Sequence, residues 1–333
     1  MRKAVTLAAA AGVAALAVRR YVALQKSMSA VAPGLRTPAL GVSSIPFNKL
    51  TLPIVRTAMG FRSSPGPGVS VIKHVVGDSA VGVLVLTPTE RPAPRPALLY
   101  IHGGGMMAGT AQFEVAHAAP LVREIGAVAV SPDYRLAPEN PFPAALDDCM
   151  VTLQWMVKHA DDLGIDPDRI AVCGASAGGG LAAAVAQRAF DEGIPLRAQA
   201  LVYPMIDDRT ALRDDLAGRG ELTWSPKSNR FGWTAYLGRE PRMSDAPEYA
   251  APARRTDVAG LPPAWIGVGD LDVFYDEDVA YAERLRASGV PCELVTVPGM
   301  YHGADGIAQK ALSMQDFRAR MVDHLRAYLA AAE

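Results

Sequence analysis

The 333-residue sequence is short of several things, and each shortage closes off a class of function. Its three cysteines, Cys149, Cys173 and Cys292, are widely spaced and odd in number. That pattern supplies neither a disulfide framework nor a zinc knuckle, so reduced thiols are expected. There is no H-E-x-x-H string and no cysteine–histidine cluster, so no metal is implied, and no organic cofactor either. A charge excess is also missing, because 33 Lys+Arg stand against 34 Asp+Glu for a net charge of −1. Without a basic surplus nothing neutralises phosphates, and nucleic acid is not an expected partner. Phosphate loops of the G-K-[ST] or G-x-G-x-x-G kind are absent too.

Long apolar runs are scarce. The most prominent lies between Ala4 and Val18, bracketed by Arg2-Lys3 and Arg19-Arg20. It is short for a membrane span of roughly 20 residues. With Ala15-Leu16-Ala17 it resembles a secretory signal. Residues 1–20 therefore read either as a signal or anchor or as a helix of a lid, and membrane contact is expected through them alone. The location is accordingly cytoplasmic, or membrane-associated or exported, depending on residues 1–20. The sequence leaves oligomeric state open, with a homodimer as one option.

What is present is apolar residue, 50% of the chain, enough for one large α/β domain with an insertion. Residues 21–68, rich in Pro, Gly and Ser from 33 onward, read as an N-terminal arm or cap. From residue 69 to 333 short β-branched runs alternate with helical stretches. Strands are expected at Val69 to Val76, Ala80 to Leu86, Pro96 to Ile101, Ala127 to Ser131, Arg169 to Cys173, Ala198 to Tyr203, Ala264 to Val268 and Glu293 to Val297. The alternation implies a mostly parallel sheet with helices on both faces. It breaks across residues 206–261, which carry Trp224, Phe231, Trp233 and Tyr236 without a strand signal and read as a helical insertion.

The chemistry is concentrated in three places. Gly174-Ala175-Ser176-Ala177-Gly178 joins an expected strand to an expected helix, the context in which G-x-S-x-G projects a nucleophilic serine from a strained turn. The following helix aims its N-terminal N–H groups at the same point. Upstream, His102-Gly103-Gly104-Gly105 follows a buried strand. Glycines there let backbone N–H groups approach an oxyanion, each worth about 3 kcal/mol, while His102 reads as a brace for the loop. Downstream, a serine nucleophile needs a base and an orienting acid, in that fold in the order Ser, Asp/Glu, His. His302, in the loop after the last strand, is the candidate base; His324, beside Arg320 and Asp323 in a helical pattern, reads as a solvated helix face. Asp276 and Glu277 open a helix, and spacing alone does not choose between Asp270 and Asp272 for the acid.

These blocks resemble the hormone-sensitive-lipase-like, or bacterial family IV, esterases of the α/β-hydrolase superfamily. The resemblance rests on His102-Gly-Gly-Gly105, Asp133-Tyr-Arg-Leu-Ala-Pro-Glu139, Gly174-Ala-Ser-Ala-Gly-Gly179 and Tyr301-His-Gly303, in the family's order and over roughly residues 70–330. It implies an α/β-hydrolase fold with a helical cap, a small-molecule ester as substrate, and a carboxylesterase reaction on small to medium acyl groups. Residue by residue it implies Ser176, His302 and Asp272 as the triad, Asp272 because it opens Asp272-Val-Phe-Tyr-Asp276-Glu277, and Gly104, Gly105 and Ala177 as oxyanion donors. Other acyl hydrolases, a dehydratase and a non-catalytic receptor on the same scaffold are the rival functions. Two positions depart from the family pattern: Ala175 replaces the usual Asp before the nucleophile, and Met106-Met107 replaces the usual aromatic after the glycines. Trp224, Phe231, Trp233 and Tyr203 are candidate pocket walls, although packing is the commoner role for such residues.

Overall fold

Among the described residues eight strands pair in the order β1-β2-β4-β3-β5-β6-β7-β8. The computed structural model describes residues 27–38, 40, 46–90 and 94–331. The alternative readings of residues 1–20 fall outside that set. Among the described residues no helix is long and apolar enough to cross a membrane.

Strands β1 (Val69–Val76) and β2 (Val81–Pro88) form an antiparallel pair around the Gly77 turn, and β2 runs antiparallel to β4 (Val128–Asp133). From β4 onward every pairing is parallel, through β3 (Arg95–Ile101), β5 (Ile165–Ala175), β6 (Ala198–Val202), β7 (Ala264–Gly269) and β8 (Cys292–Val297). The period-2 rule decides which core each side chain enters. Val83, Val85, Leu99, Val130 and Val172 point into one apolar cluster, while Leu84, Leu86, Leu98, Ala129 and Ala171 point into the other.

Helices α2 (Ala111–Leu121) and α7 (Leu312–Leu329) cover the second face. The first is covered by α3 (Ala144–Lys158), α4 (Ala177–Asp191) and α6 (Tyr275–Ala287). A shorter helix, α1 (Leu52–Ala58), belongs to the N-terminal arm. After Leu121, α2 passes into a π-helical turn over Val122–Gly126.

Residues 206–261 contain one α-helix, α5 (Pro226–Leu237), and two 3₁₀ turns, Asp208–Leu212 and Pro252–Arg254. Ser225 caps α5 by accepting from the Ser228 N–H, and Gly238 ends it in the left-handed region. Much of the remainder is irregular and pinned by ion pairs. Arg254 holds the buried Asp208 at 2.6 Å, and Arg209 holds Asp207 at 2.6 Å.

Candidate active site

β5 ends at Ala175, α4 begins at Ala177, and Ser176 is the turn between them, at φ 58° and ψ −122°. A non-glycine residue at positive φ is strained, and the surroundings hold it there. Its N–H donates to Val202 O, and its carbonyl accepts from Gly180 and Met205 N–H groups. The flanking glycines are obligatory for closeness. A Cβ on Gly174 would stand 2.4 Å from Gly178 O, and one on Gly178 would stand 2.1 Å from Ile101 O.

His302 follows β8 in the loop that ends at Gly303. Its Nδ1–H donates to Asp272 Oδ2 at 2.7 Å, and its Nε2 accepts from Ser176 Oγ at 2.9 Å. Asp272 is fully buried in the turn after β7, and its second oxygen accepts from Phe274 N–H. All three groups thus come from the carboxyl edge of the sheet. The other downstream acids are engaged elsewhere. Asp270 accepts from Gly299 N–H at 2.7 Å, Asp276 pairs with Arg213 and Arg219, and Glu277 Oε1 accepts from Ile206 and Asp207 N–H groups. Behind Asp272, the buried Asp278 carboxyl has no partner among the described residues. Burial, then the neighbouring Glu277 and Asp272, push its pKa well above the ordinary range.

The glycine loop lies beside Ser176. Gly104 and Gly105 have positive φ, at 116° and 64°, and neither N–H has an acceptor among the described residues. Ala177 opens α4, so its N–H also lacks an intrahelical acceptor. The geometry thus brings a hydroxyl, an imidazole, a buried carboxylate and backbone N–H groups without acceptors among the described residues to one edge of the sheet. His102 braces this loop: Nδ1–H donates to Gly103 O at 2.8 Å, and the ring stacks on Tyr134 at 4.1 Å. Burial holds the His102 ring below the usual imidazole range. Among the described residues no group of three or more His, Cys, Asp or Glu side chains could hold a metal.

Known proteins share the fold. The family described as having the alpha/beta hydrolase fold matches residues 98–305. The chain belongs to the α/β-hydrolases. Within them, the esterase-type relatives of the hormone-sensitive-lipase-like branch are the ones it resembles. Esterase LipI of Mycobacterium tuberculosis is 36% identical over 68% of this chain and 72% of its own. The ethyl acetate hydrolase of Pseudomonas putida is 33% identical over 65% of this chain and 68% of its own. Among solved structures, a bacterial heroin esterase superposes with a TM-score of 0.83 at 34% identity, covering 91% of this chain and 99% of that one.

One sequence expectation fails in this α/β-hydrolase. His324 is not on a solvated face. It is 8% exposed, packs against Tyr328 at 4.8 Å, and burial lowers its pKa to about 4. The four candidate aromatics divide. Trp233 is fully buried against Tyr236, and Phe231 packs at the core margin, whereas Tyr203 and Trp224 lie against His302 at 4.6 and 6.2 Å. Cys149 and Cys173 are buried free thiols, and Cys292 is half-buried.

Several supporting residues escaped the sequence reading. Tyr134 donates from its hydroxyl to His102 O at 2.9 Å, which explains the tyrosine of the Asp133–Glu139 block. The same block ends at Glu139, which Arg56 of α1 grips with both terminal nitrogens at 2.8 and 2.7 Å. Arg56 also donates to Met107 O and Ala137 O, tying the N-terminal arm to the glycine loop. Thr223 donates from Oγ1 to His302 O at 2.6 Å. Only the block around Tyr134 and Glu139 carried a sequence signal for any of these.

Proposed function

We propose that this α/β-hydrolase cleaves carboxylic esters of small to medium acyl groups through an acyl-enzyme on Ser176. The observation that carries the reading is the continuous relay Asp272–His302–Ser176, with hydrogen bonds of 2.7 and 2.9 Å. Names of the relatives, among them a carboxylesterase and an ethyl acetate hydrolase, support the same class of reaction.

The mechanism follows from the hydrogen-bond directions. Asp272 fixes the imidazole with its proton on Nδ1, leaving Nε2 free to accept the Ser176 proton as Oγ attacks the ester carbonyl. Negative charge moves to the former carbonyl oxygen, where the N–H groups of Gly104, Gly105 and Ala177 stabilise it. His302 then returns the proton to the departing alkoxide. Water, deprotonated by the same nitrogen, opens the acyl-enzyme and releases the acid. Residues 206–261 and the arm through residue 68 act as a cap on a catalytic domain of residues 69–333.

Ser176→Ala is the direct test. Turnover of p-nitrophenyl butyrate should fall by about 10⁴ or more, with an unchanged circular dichroism spectrum and melting temperature. A fluorophosphonate probe should label the native chain at Ser176 and leave the variant unlabelled. Hydrolysis persisting at the native rate in Ser176→Ala would overturn the assignment.

A further inference from the structure

One side chain of the 206–261 segment, Trp224, packs on the glycine loop and comes within 6.2 Å of His302. Thr223, at φ 62°, turns the chain so that the Trp224 indole lies on the glycine loop. The fit is close: a Cβ added to Gly105 would stand 2.4 Å from Trp224 Cη2, and one on Gly232 would stand 3.4 Å from Trp224 Cζ2. Phe47, from the N-terminal arm, meets the indole edge-on at 4.9 Å. The Phe47 N–H in turn donates to the buried Ser228 Oγ in α5. Trp224 Nε1 reaches the buried Asn229 Oδ1 at 3.4 Å. The indole is thus held on several sides and is 4% exposed. Ser176 is 7% exposed and His302 9% exposed.

We infer that Trp224 sets the acyl-length limit of this enzyme, confining the site to short-chain esters, with Phe47 holding the indole in place. The inference rests on the esterase reading above and specifies its substrate class. An ester whose carbonyl oxygen enters the Gly104–Gly105 hole must place its substituents beside the indole, since Trp224 touches Gly105 on one side and approaches His302 to 6.2 Å on the other. A group of a few carbons fits alongside a fixed ring. A longer one must displace it, breaking the Phe47 and Asn229 contacts together. The aromatic missing after His102-Gly-Gly-Gly105 is thereby supplied from a distant part of the chain, at a place where it narrows the site.

The test is the ratio of kcat/KM for p-nitrophenyl octanoate to that for p-nitrophenyl acetate, in the full chain and in Trp224→Ala, Trp224→Phe and Phe47→Ala. A ratio is insensitive to the fraction of enzyme that is folded. The native chain should prefer acetate or butyrate over octanoate by at least about tenfold, since forcing extra methylenes into a packed apolar region costs about that much or more. Trp224→Ala should raise the octanoate-to-acetate ratio about tenfold or more, largely through a lower KM for octanoate. Trp224→Phe and Phe47→Ala should raise it by smaller factors, and they carry the test if the alanine variant does not fold. An unchanged ratio in the folded variants, or a native chain that takes octanoate as readily as acetate, overturns the role of Trp224 and leaves the esterase reading standing. A native chain that hydrolyses none of these esters overturns both.

Discussion

Around Ser176 the chain packs backbone on backbone, whereas above it side chains pack on backbone. At the elbow the nearest atoms to Gly174 and Gly178 are the carbonyls of Gly178, Ile101 and His102. Above it, contact is made by the Trp224 indole on Gly105, the Thr223 hydroxyl on His302 O, and the Arg219 guanidinium on Asp270 O. Backbone in the middle of a sheet cannot yield without breaking ladder hydrogen bonds. Side chains yield by changing rotamer. The elbow is therefore a fixed instrument, and the side-chain layer is the adjustable part that decides what reaches it. Substitutions in the first region should act on kcat, and those in the second on KM, substrate range and stability.

The sharpest test within the fixed region is Asp272→Asn. It preserves shape but turns an acceptor into a donor facing His302, so the tautomer with its proton on Nε2 is favoured and the base is lost. Turnover should drop by about 10⁴ with KM nearly unchanged. A loss below tenfold would mean that some other acid orients His302.

Gly105→Ala probes the border between the two regions. The alanine must adopt φ 64° and its Cβ meets the indole, so the hole should distort and kcat should fall by about 10² to 10³. Adding Trp224→Ala should restore part of that loss, because the colliding atom is a side chain. Gly174→Ala, whose Cβ meets the carbonyls of Gly178 and Ile101, should be rescued by no side-chain change. Equal behaviour of the two glycines in double-mutant cycles would erase the distinction between fixed and adjustable parts.

A control lies away from both regions. His324 has a pKa lowered to about 4 by burial, against 6.5 for a free imidazole. Between those values the unfolded chain binds more protons, so stability is full above pH 6.5 and is lost as pH falls toward 4. The whole window is worth at most about 3 kcal/mol. His324→Gln should flatten the urea-midpoint profile across it without altering kcat. An unchanged slope would show that other groups govern acid unfolding.

The legible parts of the molecule were those set by local pattern. Strand alternation, the glycines around Ser176 and the loop position of His302 each declare themselves within a few residues, because burial and turn geometry act at that range. Asp270 and Asp272 could not be separated by spacing, since both follow β7. Direction separates them, one carboxylate reaching Gly299 N–H and the other His302. The side-chain layer was illegible for a different reason. Thr223 and Arg56 find their acceptors 79 and 51 residues away, and no local preference marks a threonine for a distant carbonyl. His324 was misread because its charged neighbours outweighed the buried stripe Phe317, Met321, His324 and Leu325, which did hold the helical period.

The smallest effect is expected at the joint between the arm and the glycine loop. Arg56 and Glu139 are 30% and 58% exposed, so their bidentate pair is screened and worth about 1 kcal/mol or less. The Arg56 hydrogen bond brings the Glu139 pKa down to about 2. Glu139 therefore contributes fully above the ordinary carboxylate range, and its contribution disappears as pH falls through about 2. Arg56→Met keeps the aliphatic stem and removes the pair together with the bonds to Met107 O and Ala137 O. The melting temperature at pH 7 should fall by a few degrees, with a smaller loss at pH 2. Because Met107 closes the glycine loop, KM should rise severalfold while kcat stays within about twofold. A fall in kcat with KM unchanged would place Arg56 with the fixed elbow, and the boundary between the two regions would have to be drawn through α1.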